Sequence, residues 1–528
     1  MSEQAKVTKA AGTIVVLTFI SRVLGFVRDM VVAKMFGAYV IADAFLVAFR
    51  ICNLLREMFA EGSMSAAFIP VLTEYLELRS KEEARELASS LFNILLFILS
   101  GVVILGIALS PTIVTLMAPG FIKDPEKFRM TVYLTRIMFP YILFIGLAAV
   151  GMGVLNSIGS FSAPALSSSM LNISMIGFAL GLSPKMANPI VGQAFGVIFG
   201  GMLQLLILLP PMKKKGFGLM FVFKPAHEGV KKVAKLALPV VGSQAVVQIN
   251  VFVSSIIASY LAVGSISYLY YATRLYQFPH GIFGIAIATA ILPSMSRQAA
   301  ARDYESLKDT LSFGIRYIFF INLPAMVGLI VLRVPITSLL FQRGAFDYTA
   351  TLGTAYALLF YSLGLWAYSG VRIVNSAFYS LQDTRTPVIG ALVSVFLNIC
   401  FSLILMRPLK HGGLALATAA AASINMGLLV YMFRRRMGLI GGRRILKSFI
   451  KTAAASTALG FACYYLSISD IWKLSGHSPQ KTVIVLYSML AGTAAYFLVQ
   501  YILKSEELGF IFNTFKFKFH RDKQESTP

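Results

Sequence analysis

Ionisable side chains are scarce inside this chain's apolar stretches, and those present cluster. The first two stretches carry Arg22, Arg28, Asp29, Lys34, Asp43, Arg50, Arg56, Glu57 and Glu61, whereas Arg136, Arg274, Arg316 and Arg372 stand singly further on. A charge held at the centre of a membrane-spanning helix costs roughly 2.5–3.5 kcal/mol on insertion scales, so such residues mark function by default. Arg22 and Asp29 are seven apart, two helical turns, and so share a face, with Arg28 at its edge. Asn53, Glu57 and Glu61 form a line at four-residue spacing, flanked by Arg56. Lys34 and Arg50 lie near helix ends, where a long side chain reaches the interface. Ion pairs that merely join two helices explain part of this set, five basic groups against four acidic ones. Arginine offers more: its planar fork binds phosphate oxygens in pairs and stays charged in a low-dielectric site. The chemistry implied is the binding of a phosphate or diphosphate.

The elements that position these residues follow from composition. Of 528 residues 57% are apolar and 13% charged, about half the charged share of a soluble globular domain. That excludes a soluble enzyme, a disordered chain and a disulfide scaffold, and makes lipid the main solvent. Taking about 20 apolar residues per crossing, the sequence predicts an all-α polytopic membrane protein with about 14 transmembrane helices. The first starts within the basic N-terminal segment, which reads as a retained helix because no small-x-small cleavage site follows it. An even number of spans places both termini on one side. The loops on that side hold about 27 Lys and Arg against about 9 on the other, which predicts cytoplasmic termini. Most of the net charge of +24 is thereby topological rather than a sign of nucleic-acid binding. The clusters Lys213 to Lys215 and Arg434 to Arg436 belong to this set.

The chain also matches itself weakly at an offset near 223. Phe68-Ile69-Pro70 aligns with Ile291-Leu292-Pro293, Pro164 with Pro387, and Leu171-Asn172-Ile173 lies near Leu397-Asn398-Ile399. Six spans separate the copies, so they share an orientation, as in transporters built from parallel repeats. The division expected is a six-helix lobe over 1–215, a second over 216–436, two additional helices over 437–505 and a cytoplasmic tail over 506–528. The second copy keeps Arg274 but has Pro279, His280 and Gly284 where the first has Arg56, Glu57 and Glu61. Purely structural ion pairs have no reason to be confined to one copy. Anion-binding chemistry in the first half, completed by Arg274, accounts for it.

Other chemistry is missing from the sequence. Five scattered histidines and three cysteines, all in apolar stretches, make no metal site or disulfide framework. Gly151-x-Gly153 lacks the third glycine and the preceding strand of a dinucleotide site, and neither a Walker A run nor HExxH occurs. Energy is therefore expected from gradients or from the substrate, and no cofactor is expected.

Ser21 to Asp29 (SRVLGFVRD), Ala42-Asp43-Ala44-Phe45, Asn53 to Gly62 (NLLREMFAEG), Phe139-Pro140-Tyr141, Leu171 to Ser174, Tyr270 to Arg274 and Gln382 to Pro387 resemble the MurJ/MviN family over nearly the whole chain. The resemblance implies a flippase for lipid II, the undecaprenyl-diphosphate-linked peptidoglycan precursor, in the bacterial inner membrane. It also implies the two-lobed fold of the multidrug/oligosaccharidyl-lipid/polysaccharide exporter superfamily, with two C-terminal helices forming a groove for the lipid tail. Carried over by motif, the substrate-binding residues are Arg22, Arg28, Arg56, Arg274, Ser21 and Asn53. Asp29, Asp43, Glu61 and Asn172 would set cavity charge or gating. Where some members carry acids this chain has Thr273 and Gln277, which makes its cavity more positive. A sodium site found in some members involves the seventh and eleventh helices; Asp383 fits it loosely, and sodium and the membrane potential are the candidate driving forces. The expected partners are lipid II and membrane lipids, with the chain acting as a monomer. A flippase for another polyprenyl-diphosphate-linked glycan and a cation-coupled multidrug exporter of the superfamily are the alternatives.

Overall fold

In a computed structural model that describes residues 3–57 and 63–510, the chain is helical throughout, with no strand among the described residues. It forms two compact units, Met1–Ser267 and Tyr268–Pro528. The first holds α1 (Glu3–Phe36), α2 (Val40–Arg56), α3 (Ser63–Leu78), α4 (Lys81–Ala108), α5 (Ser110–Met117), α6 (Pro125–Met138), α7 (Tyr141–Ser157), α8 (Ser162–Gly181), α9 (Pro189–Leu206), α10 (Leu209–Lys214) and α11 (Glu228–Ser259). After α12 (Ser265–Pro279), which starts at the boundary, come α13 (Ile285–Ala300), α14 (Tyr304–Val331), α15 (Arg333–Phe341), α16 (Tyr348–Ser362), α17 (Leu365–Ser380), α18 (Arg385–Leu405), α19 (Lys410–Met437), α20 (Gly442–Ser467) and α21 (Ser478–Ile502). Each of the fourteen expected spans is one of these helices or a consecutive pair.

The internal repeat reappears in the helix bounds. Lys81 and Tyr304, Ala108 and Val331, Ser110 and Arg333, Pro125 and Tyr348, and Ser162 and Arg385 are helix ends separated by 223 residues. The caps repeat as well. Ser80 accepts from the Glu83 N–H and Asp303 from the Ser306 N–H at the starts of α4 and α14; Asp124 and Asp347 do the same for α6 and α16. Side-chain oxygens here satisfy amides that a helix start leaves without partners. Glu57 has π-helical geometry, and 223 residues on a π-helical turn spans His280–Gly284. Wide turns of this kind are rare and concentrate at functional sites.

Among the described residues, nine helical segments are long and apolar enough to cross a membrane by those criteria alone. The expected spans outside that set are the first, second, seventh, eighth and thirteenth. Four of these are the opening pair of each repeat, where the polar residues concentrate. Helix packing in lipid favours small residues that let backbones approach. On α9, Gly192, Gly196 and Gly200 recur every four residues, and a Cβ on them would come within 2.7, 2.9 and 2.7 Å of Ser183, Phe178 and Leu171. That stripe lets α8 and α9 pack along their length.

The compact boundary falls later than the repeat boundary at 215. The reason is α11, which opens the second repeat yet packs on α3, α4 and α5 of the first unit. In the second unit, Ile291, Leu311, Ile315, Ile373, Phe378, Leu429 and Phe433 form the core. The hairpin α20–α21 packs on α14 around Phe320, Leu459, Cys463 and Tyr496. Pro324 lacks the N–H that would bond the Phe320 carbonyl, and the Tyr496 hydroxyl donates to that carbonyl at 2.6 Å instead. Arg316 binds Glu506 at 2.7 Å and the buried Glu507 at 3.0 Å, adding an ionic tie between α14 and the segment that follows α21.

Candidate functional site

The predicted residues of the first unit divide into three networks. The first is on α1. From Val16 on its exposure falls along the helix, so Arg22 is exposed while Arg28 and Asp29 keep 7% and 3% of their surface. The shared face expected of Arg22 and Asp29 is thus buried at one end only, because among its described side chains the fully buried ones lie beyond Val27. Arg28 donates from Nε and Nη2 to Asp29 Oδ1 at 3.1 and 2.8 Å, and from Nη1 to Asn172 Oδ1 on α8 at 3.0 Å. The Asn172 amide is fixed in turn, Nδ2 donating to the Ser21 carbonyl at 3.2 Å. Ser21, Arg28, Asp29 and Asn172 are therefore one assembly across α1 and α8.

The second network follows α2. Arg56 Nε donates to Asn53 Oδ1 at 3.0 Å and its Nη2 lies 3.8 Å from Glu57 Oε1. Gln248 donates to Glu57 Oε2 at 2.7 Å, and Arg50 donates to Ser255 Oγ at 2.8 Å. The pairs 50–255 and 57–248 run in opposite senses at matched seven-residue spacing, which makes α2 and α11 antiparallel with polar rungs two turns apart. Gln248 and Ser255 are site residues that sequence reasoning missed. Their only signal was the same seven-residue interval in α11, unremarkable in an uncharged pair. Glu61 lies outside the described residues.

Asp43 belongs to neither. It retains 1% of its surface and accepts from Lys127 Nζ at 2.9 Å, the Gly264 N–H at 2.8 Å, the Ser267 N–H at 3.0 Å and the Ser267 hydroxyl at 2.7 Å. It ties the first turns of α2 and α6 to the α11–α12 turn. Lys127 also lies over the Phe121 ring at 4.1 Å. Lys127, also buried, was not anticipated because it sits outside any apolar run.

In the second unit Arg274 is half-buried, its guanidinium 4.8 Å over the Tyr270 ring and Nη2 donating to that hydroxyl at 3.2 Å. The Thr273 hydroxyl donates to the Leu269 carbonyl at 2.7 Å and Gln277 is exposed. Arg372 is exposed on α17. Asp383 caps α18, accepting from the Arg385 and Thr386 N–H groups at 3.0 Å each, the Thr386 hydroxyl at 2.7 Å and Arg436 of α19 at 2.8 Å. Thr386 first, with Arg436 behind it, holds the Asp383 carboxyl below the ordinary range. Among the described residues, no three His, Cys, Asp or Glu side chains gather as metal ligands would.

Known proteins resemble this chain in sequence and in fold. The family model described as lipid II flippase MurJ matches residues 32–480. A probable lipid II flippase MurJ of Haemophilus influenzae is 38% identical over 470 residues, covering 85% of this chain and 90% of its own. The lipid II flippase MurJ of Burkholderia cenocepacia is 33% identical over 496 residues, covering 93% and 96%. Among solved structures, a lipid II flippase MurJ in an inward closed conformation superposes with a TM-score of 0.77 at 30% identity, covering 93% of this chain and 98% of that one. An inward-facing multidrug resistance transporter of the MATE family reaches 0.67 at 15% identity, a likeness of fold alone. A multi-pass helical fold, an arginine-bearing first helix and relatives matched over nearly their full length lead to one assignment: the chain belongs to the lipid II flippase MurJ family.

Proposed function

We propose that this protein flips lipid II from the cytoplasmic to the periplasmic leaflet of the bacterial inner membrane by alternating access, both termini lying in the cytoplasm. Arg22, Arg28 and Arg274 bind the diphosphate and Arg56 adds positive charge. The observation that carries this reading is the pairing on one helix of an exposed Arg22 with a buried, pre-oriented Arg28. A cation kept in a membrane segment is costly, and a substrate anion that repays that cost by bidentate binding gives a reason to keep it. Asp29 holds Arg28 when the site is empty and competes with the incoming diphosphate.

The test is genetic. In cells depleted of their own lipid II flippase, this chain restores growth and its Arg28→Ala variant, expressed to the same level in the membrane, does not. Rescue by both removes the arginine assignment; rescue by neither counts against lipid II as substrate.

A further inference from the structure

We infer that the connection between the two repeats, residues 215–227, is a membrane-surface anchor: α4 seats its backbone while Leu219, Phe221 and Phe223 enter the bilayer at the boundary of headgroups and acyl chains. The backbone comes first. Between α10 and α11 the chain is extended, without a helix from Phe217 to Lys224. Backbone of that kind is tolerated beside hydrocarbon only where protein groups satisfy it. One face of α4 does so. Arg85, Ser89, Asn93 and Phe97 recur every four residues and form a line along that helix. Arg85 Nε donates to the Gly218 carbonyl at 2.7 Å, and Asn93 Nδ2 donates to the Met220 and Val222 carbonyls at 2.8 and 3.1 Å. Ser89 Oγ accepts from the Met220 N–H at 3.2 Å. Ser90, beside this line, accepts from the Lys224 N–H at 3.2 Å and donates to the Lys224 carbonyl at 3.3 Å. Ser89, Ser90 and Asn93 are all buried.

What the seated backbone turns outward is apolar. Alternate residues of an extended chain take opposite sides. Leu219, Phe221 and Phe223 form the outer set, Phe221 and Phe223 keeping 79% and 50% of their surface, while Met220 and Val222 are half-buried. A slip of one residue would reverse the two sides. The bonds to the carbonyls of Gly218, Met220 and Val222, each two residues apart, hold the register against it.

The surroundings say what covers the outer set. Phe223 meets the edge of Phe97 at 5.2 Å, and Phe97 and Ile98 are themselves exposed. Both belong to the uncharged run 91–108 of α4, a helix long and apolar enough to cross a membrane that the fold leaves mostly uncovered. The outer face of the connection thus continues a surface that meets acyl chains. Lys213, Lys214, Lys215 and Lys224 are exposed on its flanks, and Lys224 also pairs with Glu86. Their ammonium groups reach the headgroup level while the rings sit deeper.

The test uses the full-length protein in phosphatidylcholine nanodiscs, the acyl chains brominated or plain. Phe221→Trp and Ala226→Trp are each compared with the parent, which contributes Trp366 and Trp472 throughout. Emission added by Phe221→Trp should fall about twofold in brominated lipid and resist iodide, as for a ring at the acyl boundary. Emission added by Ala226→Trp, in the exposed turn beyond Lys224, should respond to iodide instead. Asn93→Ala and Ser89→Ala, which only delete atoms, should each make Phe221→Trp accessible to iodide, the native tryptophans reporting that the variants stay folded. Quenching of Phe221→Trp by iodide rather than brominated chains, or by neither, overturns the anchor. Quenching by brominated chains that neither α4 variant alters overturns the seating by α4.

Discussion

Asp383, which the family resemblance fits loosely to a sodium site, caps α18 and binds Arg436 in the fold. Because its folded pKa is depressed, chiefly by the Thr386 N–H, its contribution is complete above the unfolded carboxyl value, about 3.9. It is lost as pH falls through the lower folded value. Thermal unfolding of the parent and of Asp383→Asn should therefore differ at neutral pH and converge in strong acid. A gap that stays constant to pH 2 would mean the charge is irrelevant to the cap. The Asp43–Lys127 pair is a different case, buried with three further donors on the carboxylate. Truncating one partner of such a pair strands the other, whereas an exposed pair such as Lys473–Asp470 contributes little.

At the scale of elements, polarity and packing are divided between different helices. The α8–α9 pair relies on the glycine stripe, so Gly196→Leu should drive the two apart, since its Cβ alone would reach 2.9 Å from Phe178. We expect loss of folded protein from a detergent-solubilised sample, read by size-exclusion chromatography. Gly177→Leu on α8, where a Cβ meets nothing within 4 Å, should leave it intact. The α2–α11 contact relies on hydrogen bonds two turns apart instead. The appended hairpin combines both modes, an apolar seam with α14 and the Tyr496 bond at the carbonyl that Pro324 frees.

For the whole molecule, the charge of +24 resolves into parts with different physics. On the proposed topology, loop lysines and arginines orient the spans; the few within them are candidates to meet the substrate. Carrying an anion outward runs with an inside-negative potential, worth about 2.3 kcal/mol per charge per 100 mV. Flipping of lipid II in proteoliposomes should accordingly speed up when a potential of that sign is imposed at fixed ion gradients. An unchanged rate would detach the potential from the transport step.

The sequence by itself determined the solvent, the helical class, the repeat and the arginine-rich first span. These follow from composition and from patterns a few turns long, and the caps at Ser80, Asp124, Asp303 and Asp347 are equally local. It also pointed to Asn172, though only as part of a motif. What the tertiary structure alone decided is which of these residues meet. Arg28 finds Asn172 across 144 positions, Glu57 finds Gln248 across 191 and Asp43 finds Ser267 across 224. It also decided that α11, first helix of the second repeat, packs with the first unit. The periodicity of a helix fixes which face a side chain takes, but the helix that covers that face is chosen by packing over the whole unit. Burial there separated Arg22 from Asp29, two residues that their spacing had placed together.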